Sequence, residues 1–287
     1  MTTAAALPRR DPARRLVAEG LGTAVLLLAV VGSGIATSDT AAPSTQLFQH
    51  AAVVGMTLVV LIWVLAPVSG AHLNPAVTLA AVVSRRLAPG LAAAYVVVQL
   101  AGAIAGTVLA DLLFARPALA WGTIDRSGPE LWASELVATA GLVGVIFALL
   151  ATDQTARVGA AVGAWVAAAI YFTSSMSFAN PAVTIARMLT DSWTGIVPAH
   201  VPAFVAAQML GAVVAVAAVT WLFRPVPDRA GTSPTPRPVA AADPTRSTSH
   251  DHQPGPRPAQ PAQDHRPGPQ PRVQGGLRDR GDRTVPP

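Results

Sequence analysis

Between residues 16 and 224 charged side chains are far apart, and the apolar stretches between them set the architecture. Nineteen uncharged residues separate Glu19 from Asp39, 24 separate Arg86 from Asp111, and 17 separate Glu135 from Asp153. Each stretch is close to the roughly 20 residues one helix needs to cross a bilayer. Three stretches are longer: 45 residues between Asp39 and Arg85, 29 between Arg157 and Arg187, and 32 between Asp191 and Arg224. The last holds one span with its loop. The other two hold a span plus a surplus that still avoids charge, hence a segment that dips into the membrane without crossing it. The pattern predicts helices over 14–36, 48–67, 90–114, 131–152, 157–174 and 200–223, with short half-helices after Asn74 and Asn180. The expected fold class is an all-α membrane protein with six transmembrane helices and two re-entrant half-helices.

The two surplus segments repeat each other. Asn74-Pro-Ala-Val-Thr-Leu-Ala80 matches Asn180-Pro-Ala-Val-Thr-Ile-Ala186. Gln99-Leu-Ala-Gly102 in the third span matches Gln208-Met-Leu-Gly211 in the sixth, and Glu19 matches Glu135. Each half therefore reads span, span, half-helix, span. Three spans is an odd number, so the second half lies inverted, and an inverted repeat puts its functional centre where the discontinuous helices meet.

Composition agrees with this reading and narrows it. Hydrophobic residues make up 52 % of the 287 and charged residues 12 %, about half the usual soluble share, which excludes a soluble globular enzyme. Every basic residue of the body and tail is Arg. The arginines cluster on what the positive-inside rule makes the cytoplasmic side: Arg9, Arg10, Arg14, Arg15, Arg85, Arg86, Arg157 and Arg224, against Arg116, Arg126 and Arg187 outside. Both termini are then cytoplasmic, in the cell membrane, with Trp121, Trp132 and Trp193 near the outer interface and Trp221 near the inner one. A signal peptide from Leu16 is disfavoured by Glu19 within the run. No basic face interleaved with aromatics points to nucleic acid, and the absence of Cys removes disulfide and thiolate chemistry. Residues 225–287 hold nine Arg, six Asp and 15 of the 26 Pro; such a tail has too little apolar surface for a core and is expected to be disordered. His250 and His252 within it read as solvated rather than as a metal site. The chain divides into an N-terminal cytoplasmic segment (1–13), a membrane body (14–224) and the Pro/Arg-rich tail (225–287).

Asn is a strong N-cap, and Pro is favoured at the first helical position because it has no amide to leave unpaired. Asn74-Pro75-Ala76 and Asn180-Pro181-Ala182 thus each start a helix, and their free helix-start amides carry partial positive charge. Two such ends at the bilayer centre repel cations without any formal charge. The Asn amides offer hydrogen bonds to a passing oxygen, which suits neutral, oxygen-bearing solutes.

With both motifs in place the chain resembles the major intrinsic protein family, the aquaporins and aquaglyceroporins. Ser69-Gly-Ala-His-Leu-Asn-Pro-Ala76 is similar to that family's first pore loop, and Asn180-Pro-Ala182 to its second. The resemblance covers residues 14–224. It implies a right-handed bundle with one pore per subunit, a homotetramer in a lipid bilayer, passive transport without catalysis, and no cofactor. It also assigns Glu19 and Glu135 as carboxylates that accept backbone amides of the re-entrant loops, the alternative being proton relays. Gln99 and Gln208 read as helix-packing polar groups, and His72 as a residue that packs or hydrogen-bonds its loop.

The chain departs from the family at the narrowest ring. Most members place Arg directly after the second motif; here Val183 stands there. Family spacing gives Val54, Ala168 and Ser177 as the other ring positions, with Val166 as the alternative to Ala168. The aromatic, His and Arg of water-selective members are missing from these positions, so a wider, mostly apolar selectivity filter is expected. Arg187, four residues after Val183, is either a guard of the outer vestibule or a headgroup-facing side chain. The stretch 177–187 is similar to a bacterial branch linked to arsenic and metalloid handling. The solutes this implies are glycerol-like polyols, undissociated arsenous acid or similar acids, and water as co-permeant. The rival readings are a coupled secondary transporter, an ordinary water channel, and a membrane sensor acting through its tail.

Overall fold

The computed structural model describes residues 11–38 and 42–224. The segment 225–287, with His250 and His252, and most of 1–13 lie outside the described residues. Within them eight α-helices run in order: α1 Pro12–Ser38, α2 Pro43–Ser69, α3 Pro75–Val83, α4 Pro89–Leu113, α5 Pro129–Ala151, α6 Val158–Phe172, α7 Pro181–Arg187 and α8 Val201–Leu222. Six of the eight open on Pro, whose fixed φ suits the first turn. Six are long and apolar enough to cross a membrane: α1, α2, α4, α5, α6 with its leading 3-10 turn Thr155–Arg157, and α8 with its leading turn Pro198–His200. The other two are the short half-helices, so the fold class read from the charge spacing holds. We call the bundle end that carries the starts of α1 and α4 the terminal face. The opposite end, with the 114–128 and 188–197 connections, is the loop face.

The halves pack alike. α1 lies against α4 and α2, α5 lies against α8 and α6, and α2 meets α6 between the halves. Small residues permit the closest of these approaches. A Cβ at Gly102 of α4 would stand 2.1 Å from the Gly20 carbonyl oxygen of α1, and one at Gly106 would stand 2.1 Å from the Ala24 oxygen. In the second half a Cβ at Gly211 of α8 would meet the Leu136 oxygen of α5 at 2.6 Å. In a bilayer, where apolar burial does not drive helices together, such backbone contact supplies the packing energy. Gly102→Ala is therefore expected to force α1 and α4 apart and destabilise the bundle by about 1–3 kcal/mol, the usual cost of overpacking. Thermal melting of the detergent-solubilised protein checks this, and an unshifted midpoint would remove the close-packing argument.

Candidate functional site

The re-entrant loops meet at the centre of the bundle. Asn74 caps α3 by accepting the Ala76 amide on Oδ1 at 2.8 Å. Its Nδ2 donates to the Ala179 carbonyl of the other loop at 2.8 Å. Asn180 does the reverse: Oδ1 accepts the Ala182 amide at 2.9 Å, and Nδ2 donates to the Leu73 carbonyl at 2.8 Å. Each Asn thus starts its own half-helix and ties down the opposite loop. A side-chain amide has two N–H donors, so these bonds leave one on each Asn unused. Both residues line the same central cavity.

The loops leading to these caps are strained. Ala71 and Leu73 have φ of 48° and 50°, and Ser177 and Ala179 both have 45°, left-handed values that cost energy outside glycine. Buried carboxylates offset that cost. Glu19, fully buried, accepts Ser69 Oγ at 2.6 Å, the His72 and Leu73 amides at 2.9 and 2.7 Å, and Gln99 Nε2 at 2.9 Å. Glu135 accepts Ser175 Oγ at 2.6 Å, the Phe178 and Ala179 amides at 2.8 Å each, and Gln208 Nε2 at 2.6 Å. Gln99 and Gln208 also reach Thr78 and Thr184, which close back on Asn74 and Asn180. With four acceptor sites filled on each carboxylate, neither faces the cavity. His72 Nδ1 lies 3.1 Å from Thr78 Oγ1, and its ring packs edge-on to Tyr95.

The central cavity encloses about 60 Å³. A wider vestibule of about 730 Å³ opens toward the terminal face, lined by Arg15, Arg86 and His72 among others. Val54, Ser177 and Val183 line the central cavity, as does Arg187. Ala168 does not. It is exposed on the outer side of α6, whereas Val162, Val166 and Ile170 share the inward stripe. Successive helical residues turn by about 100°, so 166 and 168 point to opposite sides. The expectation of Ala168 is corrected to its alternative, Val166.

Arg187 is 2 % exposed and does not face headgroups. Its Nε donates to the Thr194 carbonyl, and its guanidinium carbon lies 3.3 Å from the Phe178 ring centroid. The loop that receives it is clasped from outside. Arg126 donates to the Gly195 and Trp193 carbonyls, and Arg116 donates to the Asp191 carbonyl. Burial lowers the Arg126 pKa to about 10, which leaves it charged at neutral pH.

The sequence reading passed over two participants. His50 of α2 is 1 % exposed, lines the cavity, and sets Nδ1 2.8 Å from Ser33 Oγ. Trp193, expected near the outer interface, also packs edge-on to His50 at 5.5 Å. Phe178 supports Arg187. A signal for His50 was present: Gln46, His50, Val54, Leu58 and Ile62 form one buried stripe four residues apart, and Gln46 and His50 are its polar members.

The Major intrinsic protein family model matches residues 7–177 and again residues 151–244. An aquaglyceroporin, AqpS of Rhizobium meliloti (strain 1021), is 49 % identical over 216 residues, 75 % of this chain and 92 % of its own. A probable aquaporin of TIP type from Medicago truncatula is 31 % identical over 197 residues, 64 % of this chain and 78 % of its own. The X-ray structure of the aquaglyceroporin from Plasmodium falciparum matches with a TM-score of 0.58 at 24 % identity, covering 72 % of this chain and 95 % of that one. This last match bears on the fold alone.

Proposed function

The chain belongs to the major intrinsic protein family, and on that premise we propose that it is a passive transmembrane channel for small neutral solutes. Glycerol-like polyols are the leading class, with undissociated arsenous acid as a neutral mimic and water as co-permeant. The observation that carries this reading is the reciprocal Asn74–Asn180 bracing beside a mostly apolar ring of Val54, Val166 and Val183. An oxygen-bearing solute finds amide donors at the centre and CH-lined walls around it. The helix starts at Pro75 and Pro181 add positive potential there, which opposes cations. A coupled transporter would need an intramembrane acid free to exchange protons. Glu19 and Glu135 hold the loops instead, with all their carboxylate oxygens engaged.

Val54, Val166, Ser177 and Val183 are the filter positions of this reading, and Arg187 stands at the outer vestibule. The arginine distribution supports the terminal face as cytoplasmic, in a plasma membrane. The family resemblance supports a homotetramer with one pore in each subunit. Exposed apolar side chains on α2, including Phe48, Met56, Val60 and Trp63, supply surface for lipid or for neighbouring subunits. Stopped-flow swelling of proteoliposomes in water, glycerol and arsenous acid gradients tests the function. Glycerol flux well above that of protein-free vesicles is expected. Water flux alone would return the chain to an ordinary water channel, and no flux would remove the reading.

A further inference from the structure

Arg187 and His50 stand one helical turn closer to the loop face than Val183 and Val54, on the same two helices. All four line the central cavity together with Ser177. Of the filter positions, Val54, Val166 and Val183 offer a solute no polar side chain and Ser177 offers one; Arg187 and His50 add two more a turn outward. Helical side chains lean toward the N-terminus of their helix, so a long side chain at 187 reaches back over the turn that carries Val183.

Two polar groups that line the cavity lack a protein partner among the described residues. Arg187 Nη2 and Ser177 Oγ are both buried and make no hydrogen bond within the described residues. Buried donors of this kind are ordinarily satisfied. Both side chains line the cavity, so the permeating molecule is placed to satisfy them. Arg187 is held by the Thr194 carbonyl and the Phe178 face, and no carboxylate lies within ion-pair distance of it among the described residues. His50 is braced by Ser33 and by Trp193, the neighbour of Thr194 in sequence, so one short loop positions both side chains.

We infer that Arg187 and His50, one turn outward of Val183 and Val54, form with Ser177 the solute-selecting ring of this pore. The inference rests on the channel reading above. A solute sheds water at this level, and Arg187 Nη2 donates to one of its hydroxyl oxygens while Ser177 Oγ bonds a second. The guanidinium and imidazole set the width, and the valine ring then passes what they admit.

The test uses the full chain in proteoliposomes, with glycerol and the one-carbon-longer erythritol as probes. Wild type, R187L, R187K and H50A are compared at equal amounts of folded protein. R187L and H50A are expected to raise the erythritol-to-glycerol flux ratio about tenfold, the discrimination one extra carbon carries in a fitted site. R187K keeps the charge but loses the planar fork and its stacking on Phe178, and it is expected to raise the ratio as well. R187L loses the Thr194 anchor and is the variant most prone to misfold; H50A and R187K then carry the test. Unchanged ratios in H50A and R187K, with wild-type glycerol conduction intact, overturn the displaced ring and leave the channel reading standing. A wild type that conducts no glycerol removes both.

Discussion

Replacing Val183 with Arg is expected to cut the flux of glycerol-sized solutes about tenfold or more while reducing water flux far less, the size discrimination a narrowed pocket imposes. Val183 is 4 % exposed and lines a cavity of only about 60 Å³. An Arg there sends a long, permanently charged fork into that space. Water passes a narrowed ring that a three-carbon polyol does not. The variant also puts a second guanidinium one turn from Arg187, which has no ion-pair partner among the described residues. The positive start of α7 adds a cost of about 0.3–1 kcal/mol for a cation in its first turn. Folded yield is therefore measured first, by size-exclusion profile of the solubilised protein. Stopped-flow swelling then gives the glycerol-to-water ratio. If that ratio matches wild type in a folded variant, Val183 does not line the path and the wide-filter reading fails.

Asn180→Asp and Asn74→Asp are expected to weaken both the loop bracing and the barrier to cations. Asp is as good an N-cap as Asn, so the bonds to the Ala182 and Ala76 amides survive. The lost function is donation. Asn180 Nδ2 serves the Leu73 carbonyl and Asn74 Nδ2 serves the Ala179 carbonyl, and a carboxylate would instead set acceptor against acceptor. Leaving a buried carbonyl unpaired costs about 1–3 kcal/mol, and a facing negative charge adds to it. The same charge offsets the positive potential of the two helix starts. Melting of the solubilised variants reads the first effect. Sodium leak per folded channel, normalised to glycerol flux, reads the second. Both variants folding normally with wild-type cation exclusion would contradict a barrier at the crossed asparagines.

The six spans and both half-helices were legible because they rest on local or short-range causes. Charge avoids the bilayer core unless it is buried and hydrogen-bonded, as Glu19 and Glu135 are, so the long gaps between charges count the crossings. Asn-Pro starts a helix from within two residues. Boundaries shifted where those causes conflicted. α2 begins at Pro43 and not at 48, because Ser44, Thr45 and Gln46 look polar while Pro43 opens the first turn and Gln46 is buried. The inverted repeat was equally visible, and the two halves pack in the matching order it implies.

What the sequence left open was rotation and reach. A helix that is apolar all round carries no phase, so nothing in the pattern of α6 distinguishes Val166 from Ala168. Packing against α2, where Gly55 and Gly163 bring the backbones together, turns Val166 inward and Ala168 out. The bonds that fix the centre join Asn74 to Ala179 and Asn180 to Leu73, more than 100 residues apart in sequence. One loop, through Trp193 and Thr194, touches both His50 and Arg187, which lie on helices far apart in sequence. The sequence by itself determined how many times this chain crosses and where its helices start, since those depend on solvation and on neighbouring backbone. Only the tertiary structure decided which side chains meet in the pore, because that depends on helix rotation and long-range contacts that no local pattern encodes.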